Sequence, residues 1–166
     1  MITQLDAWLD ELRSLKGQFE KGCAQNDETA IERSLYYSAF IVRKLSETPF
    51  VTRTFMSPCI DVARFKPQRG SINARNWLRP QSHFDLRKGE PGQASLVDIC
   101  NALIHSRFLT WRSRNGEVDQ IIVSGGVRVG HEEAIGFRPA QYSRLLEHVE
   151  TFGFKRLPVT AAGRSA

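Results

Sequence analysis

The chain has 166 residues, 41% hydrophobic and 25% charged, with a net charge of +5. That length suits one domain with a real core, and the composition is ordinary for a soluble globular protein. The longest apolar runs, 39–42 and 121–123, are far too short to span a bilayer, so no membrane partner is expected. Asp6, Asp10 and Glu11 make the N-terminus unlike a signal peptide, and the expected location is the cytoplasm.

The first element is an amphipathic helix, with Leu5, Trp8, Leu9, Leu12, Leu15 and Phe19 at helical spacing and Thr3 as its cap. Gly22 is expected near its end, opening a short 22–26 connection. A second helix begins near Asn26 or Asp27 and buries Ile31, Leu35, Ala39, Val42 and Leu45, with Tyr36, Phe40 and Ile41 widening the apolar surface. Thr48-Pro49 stops it, because proline disfavours helix in the residue before it. Together the two form an antiparallel hairpin over 3–47.

From 50 to 92 the pattern breaks down among five prolines and several glycines, counting Pro49 at its border. Alternating Ile60, Val62 and Phe65 predict a short strand over 59–65; the remainder reads as irregular. The charge is concentrated here. Arg64, Lys66, Arg69, Arg75, Arg79, Arg87 and Lys88 face only Asp85, a local net of +6, so the rest of the chain sums close to neutral. Phe65, Trp77 and Phe84 lie among these cations. Cations for phosphates and aromatic faces for bases are what a single-stranded nucleic acid requires. The plainer alternative is a solvated loop whose aromatic residues turn inward as anchors.

Ser95 and Asp98 form a capping-box-like start for a third helix over 95–106. Its apolar stripe is Leu96, Ile99, Cys100, Leu103 and Ile104. Asp98, Asn101 and His105 stack along an edge of that stripe, which places the imidazole half out of water. The period then changes to two. Strands over 108–112 and 118–123 flank Arg114-Asn115-Gly116, and Asn-Gly is a strong hairpin signal. A third strand over 133–138 completes a β-meander spanning 108–138. Pro139 opens a last helix over 139–152, with Tyr142, Leu145, Leu146, Val149 and Phe152 inward. Residues 159–166 read as a disordered tail, leaving 1–158 as one α+β domain, mainly helical.

Asn101-Ala102-Leu103-Ile104-His105 resembles the hallmark helix of the HEPN superfamily, α-helical domains found in ribonuclease toxins, antiphage defence systems and nucleotide-binding partners. The leading helical hairpin fits the same pattern. Cys100-Asn101-x-x-Ile104-His105-Ser106 also resembles the core of a group of small bacterial proteins of unassigned function. The resemblance covers about the first two thirds of the chain; the β-meander is extra. It implies a HEPN-like antiparallel helical core, a homodimer formed through helical faces, and a defence or toxin–antitoxin setting. In the family, histidine moves protons as a ribose 2′-hydroxyl attacks phosphate, and an arginine stabilises the charge that develops. Here Cys100 occupies the arginine position, and cysteine supplies no positive charge. Losing such a donor typically costs about 10²–10³ in rate.

The chain therefore reads as a noncatalytic or degenerate member that binds RNA or a protein partner. The contact residues would be Arg64, Lys66, Arg69, Arg75, Trp77, Arg79, Arg87 and Lys88. One alternative is a metal-independent endoribonuclease using His105, Asn101 and Asp98, with a displaced arginine. Another is an assembly protein that binds no nucleic acid. On the plainest reading His105 only packs at a helix edge, one ring nitrogen bonded to Asn101, Asp98 or backbone.

No cofactor or metal is expected. Cys23, Cys59 and Cys100 contain no Cys-x-x-Cys pair, and His83-x-Asp85 has no further ligands in register. Cys23 and Cys59 read as inert or packing thiols, and Cys100 as buried packing. The 125–130 stretch lacks a P-loop ending and reads as a turn, and Arg144 and His148 share a surface helical face.

Overall fold

The computed structural model describes residues 2–48, 51–68, 83–124 and 133–152. Helix α1 (Ile2–Gln25) and helix α2 (Glu28–Ser46) form the expected hairpin. Gly22 lies inside α1 rather than ending it. A Cβ there would stand 3.0 Å from the Ala30 Cβ and 3.3 Å from Ile31, so the missing side chain lets the start of α2 approach closely. The stop falls at Asn26, which takes the left-handed conformation at φ 52°. The Asp27 N–H donates to the Gly22 carbonyl at 2.9 Å and the Asn26 N–H to that of Cys23 at 3.4 Å, closing the helix with a Schellman turn. Asp27 then caps α2 by accepting from the Ala30 N–H at 3.1 Å.

Leu12, Leu15, Phe19, Ile31, Leu35, Ala39, Ile41, Val42 and Leu45 are buried, as their spacing requires. Trp8, Tyr36 and Phe40, expected on the apolar faces, are instead 43%, 37% and 52% exposed, and Tyr37 is 56% exposed. The α2 surface that contacts the rest of the protein is narrower than its apolar content.

In the described parts of 50–92, residues 51–68 and 83–92, the chain is more regular than its prolines imply. A 3-10 turn (Arg53–Met56) precedes strand β1 (Cys59–Phe65), the predicted strand, and strand β2 (Glu90–Ser95) returns antiparallel to it. β2 was hidden by its Pro91-Gly92 pair. It lies at the sheet edge, where proline can be tolerated because one side of the strand has no partner. Helix α3 (Leu96–Ile104) follows at once, then strands β3 (Leu109–Arg114), β4 (Glu117–Ser124) and β5 (Ala134–Phe137) and helix α4 (Pro139–Phe152). Asn115 and Gly116 have φ of 54° and 85°, the two positive values that a tight hairpin turn with right-handed twist requires. The 125–130 turn and the 159–166 tail lie outside the described residues.

The sheet has five antiparallel strands in the order β2-β1-β5-β4-β3, so β5 closes the meander onto β1. Val62, Ile121, Val123, Ile135 and Phe137 join the helical core on one face. Phe65, Phe84, Phe108, Ile122 and Ala134 form a smaller cluster on the other. In α4, Tyr142 packs its ring against Phe19 and Phe137 at 5.4 and 5.6 Å between centroids and shares a 2.8 Å hydrogen bond with Ser38. His148 is not a free surface group: its ring Nε2 lies 2.9 Å from the Thr54 carbonyl oxygen. Among the described residues no helix is long and apolar enough to cross a membrane.

Candidate functional site

The start of α3 is a complete capping box. Ser95 Oγ accepts from the Asp98 N–H at 3.2 Å, and Asp98 Oδ2 accepts from the Ser95 N–H at 3.0 Å and from its hydroxyl at 2.8 Å. Asp98 is thereby committed to helix initiation. It stands seven residues before His105, about 10 Å along a helix axis, and the two do not form a pair.

Asn101 meets a partner that the local sequence does not reveal. Its Oδ1 accepts from Arg43 Nη1 at 2.8 Å, across 58 residues of chain. One turn further on, the Tyr36 hydroxyl lies 3.1 Å from Ser106 Oγ, which also donates to the Leu103 carbonyl at 2.8 Å. These two contacts fix α2 and α3 antiparallel, with Phe40 between the Tyr36 and Arg43 anchors. His105 caps α3 with its backbone N–H on the Asn101 carbonyl at 3.0 Å, and its side chain is exposed rather than half desolvated. The edge of α3 thus carries an amide, an imidazole and a hydroxyl, with the guanidinium supplied by α2.

Cys100 is 2% exposed, and burial pushes its thiol up to about 12, a shift only partly opposed by the nearby Arg43 charge. It is packing, as its place on the stripe implies. Cys23 is likewise held at about 12 by burial and by Glu20, whereas Cys59 is exposed at the start of β1.

Four of the eight predicted nucleic-acid contacts, Arg69, Arg75, Trp77 and Arg79, lie outside the described residues. The other four do not gather at α3. Glu90, Arg64, Ile135, Val123 and Leu109 form one row across the sheet, so β5 and β4 separate Arg64 from the strand that follows His105. Arg64 pairs with Glu133 at 3.0 Å and donates to the Gln93 carbonyl at 2.7 Å; Lys66 pairs with Glu90 at 2.7 Å. Lys88 pairs with Asp85 at 3.4 Å, and Arg87 is exposed. Phe65 and Phe84, 2% and 1% exposed, are core residues of the second cluster and present no face to a ligand. Arg112 lies over Phe65, its guanidinium 6.0 Å from the ring centroid, and donates a hydrogen bond to the Leu86 carbonyl. Among the described residues no group of three or more His, Cys, Asp or Glu could hold a metal ion.

The fold presents a different surface. Arg33, Tyr36, Tyr37, Phe40, Arg43, Lys44 and Glu47 recur at helical spacing along the outer face of α2. Arg33 lies 5.8 Å from the centroid of the Tyr37 ring, a cation–π contact. Glu47 is 3.5 Å from both Arg43 and Lys44 in exposed pairs, which are weak in water. Three cations and three rings therefore lie along this face, and two of them, Arg43 and Tyr36, touch the α3 edge. The spacing was present in the sequence, but aromatic residues at a helical period read first as core.

Comparison with family models, with curated proteins and with solved structures returns no match for this chain.

Proposed function

We propose that the protein binds RNA without cleaving it, as a degenerate HEPN-like protein, through the outer face of α2 and the adjoining edge of α3. The observation that carries this reading is the exposure of Tyr36, Tyr37 and Phe40 between Arg33 at one end and Arg43 and Lys44 at the other. Aromatic faces accept unstacked bases and cations follow the phosphates. Such a surface favours single strands, because the bases of a duplex are not available to stack on protein rings. A contiguous aromatic patch also costs solubility, so its exposure calls for an occupant.

Filter binding of single-stranded RNA across a salt series tests this. Affinity should fall as salt rises, with a log–log slope of about −0.7 for each phosphate contacted. Tyr37→Ala with Phe40→Ala should weaken binding at least tenfold, since each stacked base contributes about 1–3 kcal/mol. Absent binding at low salt, or binding indifferent to both substitutions, overturns the reading.

The 2.8 Å contact between Arg43 and Asn101 favours a second reading, metal-independent RNA cleavage. Arg43 would offer the positive charge that Cys100 cannot, and His105 an accessible proton carrier. Cleavage in EDTA that is lost in His105→Ala, and reduced about 10²–10³-fold in Arg43→Ala, would establish it.

A further inference from the structure

A second concave site lies away from the α2–α3 edge, where α1, α4 and the turn into β4 converge. It is an open depression of about 560 Å³, a volume within the usual range of small-molecule sites. Its lining includes Cys23, Ala24, Val118, Ala140 and Ser143. Ser143 is 8% exposed, and its Oγ is buried with no hydrogen-bond partner among the described residues. A buried hydroxyl without a partner is costly, which makes this atom an acceptor or donor in waiting.

The rim carries both signs of charge. Arg138 immediately precedes α4 and Arg144 lies in its second turn, near the positive end of the helix dipole. Glu20, Glu117, Asp119 and Glu147 border the same cavity. Asp119 reaches it from a β-bulge: the register passes from Arg112↔Gln120 to Ser113↔Val118, leaving Asp119 without a partner on β3. None of these six rim groups forms an ion pair among the described residues, although they share one cavity. A simple anion would meet four carboxylates, and a simple cation would meet two guanidinium groups and the positive end of a helix. A ligand bearing both charges meets complementary partners on each side, and the excess of carboxylates favours one extra positive charge.

We propose that this cavity binds a small zwitterion with an additional cation, the chemistry of a free basic amino acid. Its carboxylate would lie toward Arg138 and the start of α4, and its cations toward Asp119, Glu117 and Glu20. Isothermal titration calorimetry with L-arginine, agmatine and L-glutamate tests the assignment. Agmatine retains the guanidinium and an ammonium but lacks the carboxylate, and glutamate reverses the side-chain charge. L-Arginine should bind saturably at millimolar or lower concentration, at least about tenfold more tightly than either analogue. Arg138→Gln should abolish the preference over agmatine and Asp119→Asn the preference over glutamate, while the thermal melt of the free protein stays within a few degrees in each. Equal binding of agmatine would reduce the site to bulk cation attraction, and no saturable heat from arginine would remove it; both overturn the proposal. A substitution of Ser143 to Ala that leaves arginine affinity unchanged would also count against it, because the unpartnered hydroxyl would then have no role in recognition.

Discussion

Asp98 and Asn101 share an edge of α3 with His105, yet each is engaged elsewhere, one by the Ser95 backbone and the other by Arg43. A carboxylate that accepts hydrogen bonds at a helix start cannot also orient an imidazole two turns away, so the Asp98 contribution to any chemistry at His105 is nil. The three cysteines differ as sharply. Cys59 should react with a thiol reagent in the native state, while Cys23 and Cys100 react only after denaturation; labelling counted by mass spectrometry checks this. Burial raises both inner thiols from 9.0 to about 12. A raised folded-state value means that the neutral form is favoured on folding. The stability it contributes is complete below about pH 9 and is lost as pH climbs toward 12. Urea unfolding should therefore show a loss of roughly 2 kcal/mol from Cys100 between about pH 8 and pH 10.5. Cys100→Ala should have a shallower pH profile together with lower stability at neutral pH.

Helices and hairpins announce themselves through short periods, and here those periods were readable. The α1–α2 hairpin, the Ser95–Asp98 capping box, β1 and the Asn115-Gly116 turn all lie where local residues place them. The misreadings have physical causes. Gly22 looked like a terminator because glycine ends helices, but here it admits the neighbouring helix at 3.0 Å. Tyr36 and Phe40 looked like core because an apolar ring at a helical period carries no mark of which neighbours the fold will supply. Arg43 could not be connected to Asn101 at all, since nothing local encodes a contact 58 residues long. Two substitutions test these elements. Ser95→Ala removes the cap of a short helix and should cost about 1 kcal/mol in chemical denaturation. Gly22→Val should cost about 1–3 kcal/mol, because the added branch must displace α2 where Ala30 and Ile31 already touch it.

Across the whole molecule, the described cations between residues 64 and 88 do not gather on one surface with exposed aromatic rings. Arg64, Lys66 and Lys88 pair with Glu133, Glu90 and Asp85, the two lysines being exposed and their pairs weak in water, while Phe65 and Phe84 plug the far side of the sheet. Phe84→Ala should thus destabilise the protein by about 3 kcal/mol or more without removing a stacking partner for RNA. Thermal unfolding and filter binding, run in parallel at a temperature where the variant is folded, separate the two effects. The sheet order carries a further consequence for synthesis. β1 and β2 are neighbours in space, as are β3 and β4, and among the described residues the two ribbons are hydrogen-bonded into one sheet through Ala134–Phe137. A nascent chain emerging from the ribosome holds two hairpins not yet joined in one sheet until residues 134–137 appear, and the joint that fuses them is four residues long. Until that wedge arrives, each half presents an open backbone edge, which makes the interval before its emergence the moment when a chaperone would matter most.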